Sequence, residues 1–270
     1  MPEQMTVGLI GCGNIGTDLC LALSRADIPA RIAALTDIVE TRAQTLLETH
    51  QLNATVCGLE ENVASVDFVV ECAAADAVKD VVTLAIEHRT PCLVVSVGGL
   101  LAHPELLEAA RAQSVPVSLP SGALCGLDGI RAAKEAGLDT VTLTTRKPPE
   151  GLVGAPYLIE RGIDLKGLAE AQVVFEGSAR QAVEGFPKNV NVAAALSLMG
   201  IGPEKTRVRI IADPDATTNS HEVAADGAFG RLTAITENRP SPRNPKSSYL
   251  ASLSACAALR AAADAFVSNE

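Results

Sequence analysis

The sequence is poor in aromatic residues, which make up 3% of the chain, and it contains no tryptophan. Its core must therefore be built mainly from Ala, Val, Leu and Ile, and a hydrophobic content of 47% is ample for this. The chain also lacks long runs of lysine or arginine, and its formal net charge is −10. Because binding to duplex nucleic acid depends on clustered cations, we expect no nucleic-acid partner.

Metal-binding and disulfide patterns are missing as well. The chain has seven cysteines and four histidines, with no CxxC pair and no metal-ligand spacing, so we expect neither a disulfide framework nor a metal site. No signal-peptide pattern is visible, and no uninterrupted apolar run reaches the roughly 20 residues of a membrane helix. These absences predict a cytoplasmic protein in a reducing compartment.

The first 120 residues alternate short β-branched runs with amphipathic helical patterns. Alternation of this kind, with short connections, predicts βαβ units and a doubly wound parallel sheet of the Rossmann type. The predicted strands are 6–11, 31–37, 67–72, 91–97 and 116–120, and the predicted helices are 14–26, 40–50, 76–88 and 104–113.

Polar–apolar alternation replaces this rhythm after about residue 120, in stretches such as DTVTLTTRK, HEVAAD and GRLTAITEN. It is typical of strands with one solvated face, and it predicts a second, α+β domain with a mostly antiparallel sheet. The Pro-rich segment ENRPSPRNPKSSYL then leads into an Ala-rich helix. We expect this last helix to return to the first domain, giving a discontinuous dinucleotide-binding domain (1–120 and 246–270) and a catalytic and oligomerisation domain (121–245).

Three glycines form the pattern Gly11-x-Gly13-x-x-Gly16, which follows the first predicted strand and opens a helix. The first glycine allows a tight turn, the second lets backbone approach a pyrophosphate, and the third permits close packing of helix on strand. The N–H groups at the start of that helix, where Asn14 and Ile15 lie, are free to bind an anion. The pattern predicts a dinucleotide site.

Asp37 strengthens this prediction because it closes the second predicted strand, about 20 residues after the last glycine of the pattern. A carboxylate at this position binds the hydroxyls of the adenosine ribose, and it would repel a 2′-phosphate. We therefore expect NAD as the cofactor. NADP is not excluded. Arg42 in the following helix is either a group that softens the preference or, as is more common, a solvated surface charge.

His221 is the histidine with a catalytic interpretation. His50 and His88 end predicted helices and His103 precedes a proline, which are structural positions. His221 instead lies in TTNSHEV, where a polar loop enters a predicted strand of the second domain. It is either a general acid and base near neutral pH or an ordinary surface histidine.

Two polar clusters are candidates for binding substrate. Lys188, Asn189 and Asn191 stand at the start of a predicted helix, where asparagine also serves as an ordinary helix cap. Arg146 and Lys147 end a predicted strand before two prolines, where cations are commonly just solvated. The sequence leaves both interpretations open for each cluster.

The chain resembles the L-aspartate dehydrogenase family along essentially its whole length. The matching stretches, in order, include GLIGCGNIG, VVSVGGL, LPSGALCGLDGIRAA, VTLTTRKPP, FEGSARQAVEGFPKNVNVAAAL, RVRIIADP, NSHEV and ENRPSPRNPKSSYL. The resemblance implies an enzyme that oxidises L-aspartate to iminoaspartate with NAD or NADP. The imine is then hydrolysed to oxaloacetate and ammonia, or used in the synthesis of new NAD.

The resemblance also implies roles for individual residues. His221 matches the catalytic histidine of the family, and Ala123 and Asn189 match residues that contact the cofactor. The substrate carries two carboxylates, which an acidic protein must bind with specific cations and amides. The groups available for this on matching stretches are Lys188, Asn191, Arg146 and Lys147, which the sequence does not rank.

Two alternatives remain at this point. One is another Rossmann reductase, of the dihydrodipicolinate reductase or homoserine dehydrogenase type, although His221 stands alone where dihydrodipicolinate reductases carry several histidines. The other is a protein that senses NAD(H) without catalysis. We also expect a homo-oligomer, because one face of the second sheet is free to form a subunit interface.

Overall fold

The computed structural model describes residues 4–25, 28–187, 191–244 and 247–268. The chain divides into two compact units. The first consists of Met1–Pro120 with Ser252–Glu270, and the second of Ser121–Ala251. Each unit contains its own β-sheet.

The sheet of the first unit has six strands in the order β3-β2-β1-β4-β5-β6, and all neighbouring pairs are parallel. This is the strand order of the Rossmann fold, whose ligands bind at the carboxyl ends of the strands. The predicted fold class of the first domain is therefore confirmed. The strands are β1 (Met5–Ile10), β2 (Ala30–Thr36), β3 (Thr55–Val56), β4 (Phe68–Glu71), β5 (Cys92–Val94) and β6 (Val117–Ser118).

Helices connect these strands, and the last helix of the chain belongs to the same unit. The connecting helices are α1 (Asn14–Ser24), α2 (Glu40–Thr49), α3 (Leu59–Ala64), α4 (Val78–His88), α5 (Gly98–Ala102) and α6 (Glu105–Ala112). From the final helix, α11 (Tyr249–Ser268), Ala255, Leu259 and Ala263 are buried in one cluster with Leu9 of β1 and Leu19 of α1. Small side chains let a helix pack closely here.

By length and composition, α11 is long and apolar enough to cross a membrane. Its buried positions Ala255, Leu259 and Ala263 are spaced four residues apart, on one side of the helix. This one-sided burial against the first unit is the pattern of a core helix in a globular domain.

The second unit contains a five-stranded sheet in the order β11-β10-β7-β9-β8. Neighbouring strands are antiparallel except for the pair β7 and β9, so the sheet is mostly antiparallel, as predicted. Its elements are α7 (Leu127–Ala136), β7 (Leu138–Lys147), α8 (Pro156–Glu160), β8 (Gln172–Ser178), α9 (Ala179–Gly185), α10 (Asn191–Met199), β9 (Arg207–Ala212), β10 (Asn219–Gly227) and β11 (Gly230–Asn238).

The two faces of this second sheet differ in burial. On the inner face, Leu143 of β7 and Val208 of β9 line a small cavity with Ala193 of α10, so helices cover this side. On the outer face, Arg209 of β9 and Glu222 of β10 are exposed. Successive residues of a strand point to opposite faces, so the alternation seen in the sequence is the alternation between a helix-covered core and solvent.

The structure adds three short elements of the first unit, β3, α3 and α5, that the sequence did not predict. They contain two, six and five residues, too few for hydrophobic periodicity to be detected. The fourth predicted strand, 91–97, is also shorter in the structure, where it is β5 and ends at Val94. Beyond it, the backbone N–H of Ser96 donates to the Glu71 side chain.

Candidate functional site

The glycine-rich turn between β1 and α1 needs its first and third glycines for steric reasons. Gly11 has φ +100°, and a Cβ there would lie 2.6 Å from the backbone of Ala73. A Cβ on Gly16 would lie 2.4 Å from the carbonyl oxygen of Gly11. Any other residue at either position would push the turn, the helix or the loop after β4 apart.

Gly13 is different, because a Cβ there would meet no atom within 4 Å. The backbone at this residue is exposed, so a ligand can approach it closely. Gly13 is the N-cap of α1, and no side chain caps the helix. The first helical hydrogen bond runs from Thr17 N to Gly13 O. The backbone N–H groups of Asn14, Ile15 and Gly16 therefore precede the first intrahelical donor and suit a diphosphate.

Asp37 lies directly after β2, at the rim of this turn. One carboxylate oxygen accepts from the backbone N–H of Cys12 at 2.8 Å, and the other accepts from Val39 N at 2.8 Å. The side chain is half-buried. Its position is thus set by the glycine turn itself, and each oxygen retains lone pairs for a ribose hydroxyl.

Glu71, which the sequence analysis did not single out, is fully buried at the carboxyl end of β4. Its two oxygens accept from Ala73 N at 2.8 Å and Ser96 N at 2.9 Å, so it ties the loop after β4 to the loop after β5. Burial raises the pKa of this carboxyl, and hydrogen bonds from Ser96 and Ala73 oppose the rise. The signal in the sequence was an acidic residue ending the apolar run FVVE.

His221 lies in the second unit as the third residue of β10, within the strand rather than in a loop before it. It is buried, with 3% of its surface exposed, and its Nδ1 is 3.0 Å from the hydroxyl oxygen of Thr145 on β7. Burial lowers its pKa to about 3, and the positive charge of Lys147 adds to the shift. The imidazole is therefore neutral at neutral pH.

Lys147 lies on the same face of β7 as Thr145, two residues further along the strand. Only 7% of its surface is exposed, and burial lowers its pKa from 10.5 to about 8. With Thr145 it lines a small cavity of about 10 Å³, whose other walls include Leu152 and Phe186. At neutral pH the buried Lys147 side chain is thus largely protonated, and its charge acts on His221.

Arg146 was grouped with Lys147 in the sequence analysis, but the structure separates the two. As its strand neighbour, Arg146 points to the opposite face of the sheet from Thr145 and Lys147. Its Nη1 donates to a carboxylate oxygen of Asp213 at 2.6 Å. The structure therefore does not bring Arg146 to His221, and its role as a substrate ligand stays a prediction.

The remaining candidates are Lys188, Asn189, Asn191 and Ala123. Lys188 and Asn189 lie outside the described residues, and Asn191 is the exposed first residue of α10. Ala123 is buried in the loop before α7, and its carbonyl oxygen accepts from Thr236 Oγ1 at 2.9 Å and Asn238 Nδ2 at 3.1 Å. The sequence did not point to either of these donors.

A further cavity of about 750 Å³ opens in the second unit beside the segment from Pro149 to Leu168, close to Pro214. None of the predicted site residues that the structure describes lines it. Among the residues that the structure describes, no three His, Cys, Asp or Glu side chains are grouped to hold a metal ion. Each unit thus has its own candidate arrangement: His221 with Thr145 and Lys147 in the second unit, and the glycine turn in the first unit.

Comparison with known proteins gives two family matches. Residues 128–262 match the family described as aspartate dehydrogenase, C-terminal, and residues 11–120 match the NAD binding domain of homoserine dehydrogenase. The L-aspartate dehydrogenase of Methanosarcina mazei is 46% identical over 95% of this chain and 96% of its own length. That of Methanococcoides burtonii is 44% identical over 97% and 98%.

A solved structure is similar over the same extent. The aspartate dehydrogenase of Thermotoga maritima superposes with a TM-score of 0.73 and 28% identity, covering 96% of this chain and 97% of its own. The similarity thus covers both units, including the strand that carries His221.

Proposed function

The chain belongs to the L-aspartate dehydrogenase family, and we propose on this premise that it oxidises L-aspartate to iminoaspartate with NAD or NADP. The observation that carries the proposal is His221, a neutral, buried imidazole held at 3.0 Å by Thr145 on the sheet face that also carries Lys147. Oxidation of an amino acid needs a neutral base that takes the amino proton and a cation that binds the substrate carboxylate. His221 and Lys147 are residues of these two types.

The nicotinamide cofactor, when bound, supplies the carbon that accepts a hydride from Cα of the substrate. The amino nitrogen must lose a proton as the C=N bond forms. In the tautomer that serves as base, Nδ1–H of His221 donates to the hydroxyl oxygen of Thr145, and the lone pair on Nε2 accepts this proton. The products are iminoaspartate, the reduced cofactor and a protonated His221, which then releases its proton to solvent.

Lys147 is proposed to bind a carboxylate of the substrate. Its side chain is buried beside His221, and an ion pair with a carboxylate is stronger in a buried site than in water. Asn191, the first residue of α10, and Lys188, which lies outside the described residues, are proposed as further substrate ligands, because their stretch matches the family. Arg146 is the fourth candidate ligand and ranks below Lys147, since it lies on the other face of the sheet with Asp213.

The first unit is proposed to bind the dinucleotide through Gly11, Gly13 and Gly16, with the N–H groups of Asn14 and Ile15 at the pyrophosphate. The open space at Gly13 and the uncapped start of α1 support this assignment. Asp37 is proposed to bind the adenosine ribose and to favour NAD over NADP. Ala123 and Asn189 are proposed as contacts to the cofactor from the second domain.

The two domains are proposed to have different roles. We assign the dinucleotide-binding role to 1–120 and 246–270, and catalysis and oligomerisation to 121–245. A cytoplasmic location, with a small-molecule substrate and neither nucleic acid nor membrane as partner, is part of the same proposal and can be checked by cell fractionation.

A homo-oligomer is proposed from the outer face of the second sheet. There Arg207 and Arg209 on β9 are exposed, as are Glu222 on β10 and Glu237 on β11. An isologous two-fold contact would place the basic strand of one copy against the acidic strands of the other. Light scattering of Arg209→Glu should then show dissociation, and a wild-type protein that is monomeric at micromolar concentration would contradict the proposal.

The proposed reaction is tested by NADH formation from a panel of amino acids at alkaline pH. We expect turnover with L-aspartate and little with L-glutamate, D-aspartate or L-homoserine. Turnover with homoserine alone would favour a homoserine dehydrogenase. Tight binding of NADH without turnover of any amino acid would favour a cofactor sensor.

A further inference from the structure

The loop 121–126, which precedes α7, has an unusual backbone that other residues must hold in place. Gly122 has φ +63° and Gly126 has φ +77°, so a left-handed glycine stands near each end. Glycine can adopt these backbone angles without strain, but a loop with two glycines can also adopt many other conformations. Contacts from outside the loop must therefore select this conformation.

These contacts come from strand β11. The thiol of Cys125 lies 3.6 Å from the carbonyl oxygen of Ile235, and a Cβ on Gly126 would lie 2.8 Å from the Cβ of Ala234. Between the two glycines, the carbonyl of Ala123 is bound by side chains from the same strand. The loop thus runs alongside β11 over most of its length.

The carbonyl oxygen of Ala123 accepts two hydrogen bonds, from Thr236 Oγ1 at 2.9 Å and from Asn238 Nδ2 at 3.1 Å. Asn238 Nδ2 also lies 3.3 Å from Thr236 Oγ1. The amide can donate one N–H to the carbonyl and one to the hydroxyl, while the hydroxyl donates to the carbonyl. Three buried or half-buried polar groups are satisfied together, and such closed networks fix a backbone position firmly.

Strand β11 also pairs with the strand that carries His221. Thr236 faces His221 directly in the register of β10 and β11, and its hydroxyl lies 3.5 Å from the carbonyl oxygen of His221. Two residues of β11 therefore stand between the backbone of Ala123 and the strand of the histidine. A shift of β11 would move the loop and the histidine strand together.

We propose that Thr236 and Asn238 are positioning residues, which hold the loop 121–126 so that Ala123 is in place to contact the cofactor. This inference rests on the proposed function, in which Ala123 contacts the cofactor. It also accounts for the use of both lone pairs of the Ala123 carbonyl within the protein. Because this carbonyl oxygen already accepts two hydrogen bonds, the cofactor must contact other atoms of Ala123 or of the loop around it.

The test uses Thr236→Val, which removes the hydroxyl at almost constant volume, and the double variant Thr236→Val/Asn238→Ala. NADH affinity is measured by fluorescence titration, together with amide hydrogen exchange in the loop. We expect NADH binding about fivefold weaker in the single variant, as for loss of one hydrogen bond, and more than tenfold weaker in the double variant. Exchange in the loop should become faster in both.

Two controls separate positioning from a general loss of structure. Thr233→Val lies on the outer face of the same strand and should leave NADH affinity and loop exchange unchanged. Thr236→Ser keeps the hydroxyl and should restore NADH affinity. A Thr236→Val variant that is less stable but binds NADH as tightly as Thr236→Ser would overturn the inference.

The outcomes also separate this inference from the proposed function. If wild type binds NADH but does not oxidise L-aspartate, weaker NADH binding in Thr236→Val still supports the inference while the proposed substrate is wrong. If wild type oxidises L-aspartate and both β11 variants bind NADH normally, the inference is overturned and the proposed function is unaffected. Wild type that binds no NADH overturns both.

Discussion

The Nδ1 atom of His221 lies 3.0 Å from the hydroxyl oxygen of Thr145, and the two residues face each other across the paired strands β10 and β7. Because Nδ1 has this partner, Nε2 is the ring nitrogen available to a substrate. The contact with Thr145 fixes the orientation of the ring, so the direction of the Nε2 lone pair is set as well. This relationship leads to the first two predictions.

Replacing the base itself should have the largest effect. We expect His221→Asn to lower kcat for L-aspartate oxidation by about 10²–10⁴-fold, the usual contribution of general acid–base catalysis. NADH affinity should change little, because the glycine turn and Asp37 dominate it in our assignment. Stopped-flow or steady-state kinetics measure the first quantity and fluorescence titration the second.

The matched control for this variant is His103→Asn, because His103 lies in the first unit beside Glu105 and has no proposed role. It should retain full activity. A His221→Asn enzyme that keeps more than about a tenth of wild-type kcat would rule out this histidine as the base.

Removing the orienting hydroxyl should give a smaller effect. Thr145→Val keeps the shape of the side chain but leaves Nδ1 of His221 without its partner, and a lost hydrogen bond of about 1 kcal/mol corresponds to roughly a fivefold lower kcat. Thr145→Ser should restore the rate. Equal rates in the valine and serine variants would show that the hydroxyl does not orient the ring.

The pKa values of His221 and Lys147 predict the pH dependence of the free enzyme. Since burial lowers the pKa of His221 to about 3, the histidine is already neutral at pH 5–7, and kcat/KM should show no fall there from its protonation. Lys147, whose pKa is lowered to about 8, loses its charge as pH rises through that value. The KM for L-aspartate should therefore increase above about pH 8.

The pH profile also tests which of the two groups is the base. Lys147→Met should raise the KM for L-aspartate at pH 7 and remove its increase at higher pH. If instead kcat/KM rises through pH 8 and the rise disappears in Lys147→Met, Lys147 is the base and our assignment of His221 is wrong. The negative charges of bound L-aspartate should raise the pKa of His221 in the enzyme–substrate complex. A fall in rate at low pH should therefore be seen in kcat, which reports that complex, rather than in kcat/KM, which reports the free enzyme.

Cofactor preference should depend on Asp37. Its carboxylate is held by Cys12 N and Val39 N at the rim of the glycine turn, where it can bind the ribose of NAD and repel a 2′-phosphate. We expect Asp37→Ala to weaken NAD binding about tenfold or more, and NADP binding much less, as measured by isothermal titration calorimetry. Equal losses for the two cofactors would indicate that Asp37 only supports the turn.

Much of the fold was predictable because its signals are local. Apolar runs, helical periodicity and the glycine pattern each occupy a few consecutive residues, and they gave the parallel sheet and the mostly antiparallel second sheet. The short elements β3, α3 and α5 carry too few residues for such signals.

The site was less predictable, because its contacts join distant parts of the chain. Thr145 and His221 are 76 residues apart, and Ala123 and Asn238 are 115 apart, so strand register brings them together. No single sequence reveals that register. Arg146 is a different case, since strand alternation alone separates it from Lys147, and the sequence could have told us this.

The glycine turn offers the sharpest separation of stability from binding. A Cβ on Gly16 would lie 2.4 Å from the Gly11 carbonyl oxygen, whereas a Cβ on Gly13 meets nothing within 4 Å. Gly16→Ala should therefore destabilise the fold by about 1–3 kcal/mol, as overpacking does. Gly13→Ala should leave the melting temperature near that of wild type but weaken NADH binding at least tenfold, because its methyl group occupies the space where the ligand approaches the backbone.

Gly58→Ala is the control, since a Cβ at Gly58 also meets nothing within 4 Å and the residue precedes α3, outside the turn. This variant should change neither the melting temperature nor NADH affinity. Calorimetry and fluorescence titration on all three variants give the comparison. If Gly13→Ala binds NADH as tightly as Gly58→Ala, the open space at Gly13 is not where the dinucleotide lies, and the anion site at the start of α1 must be abandoned.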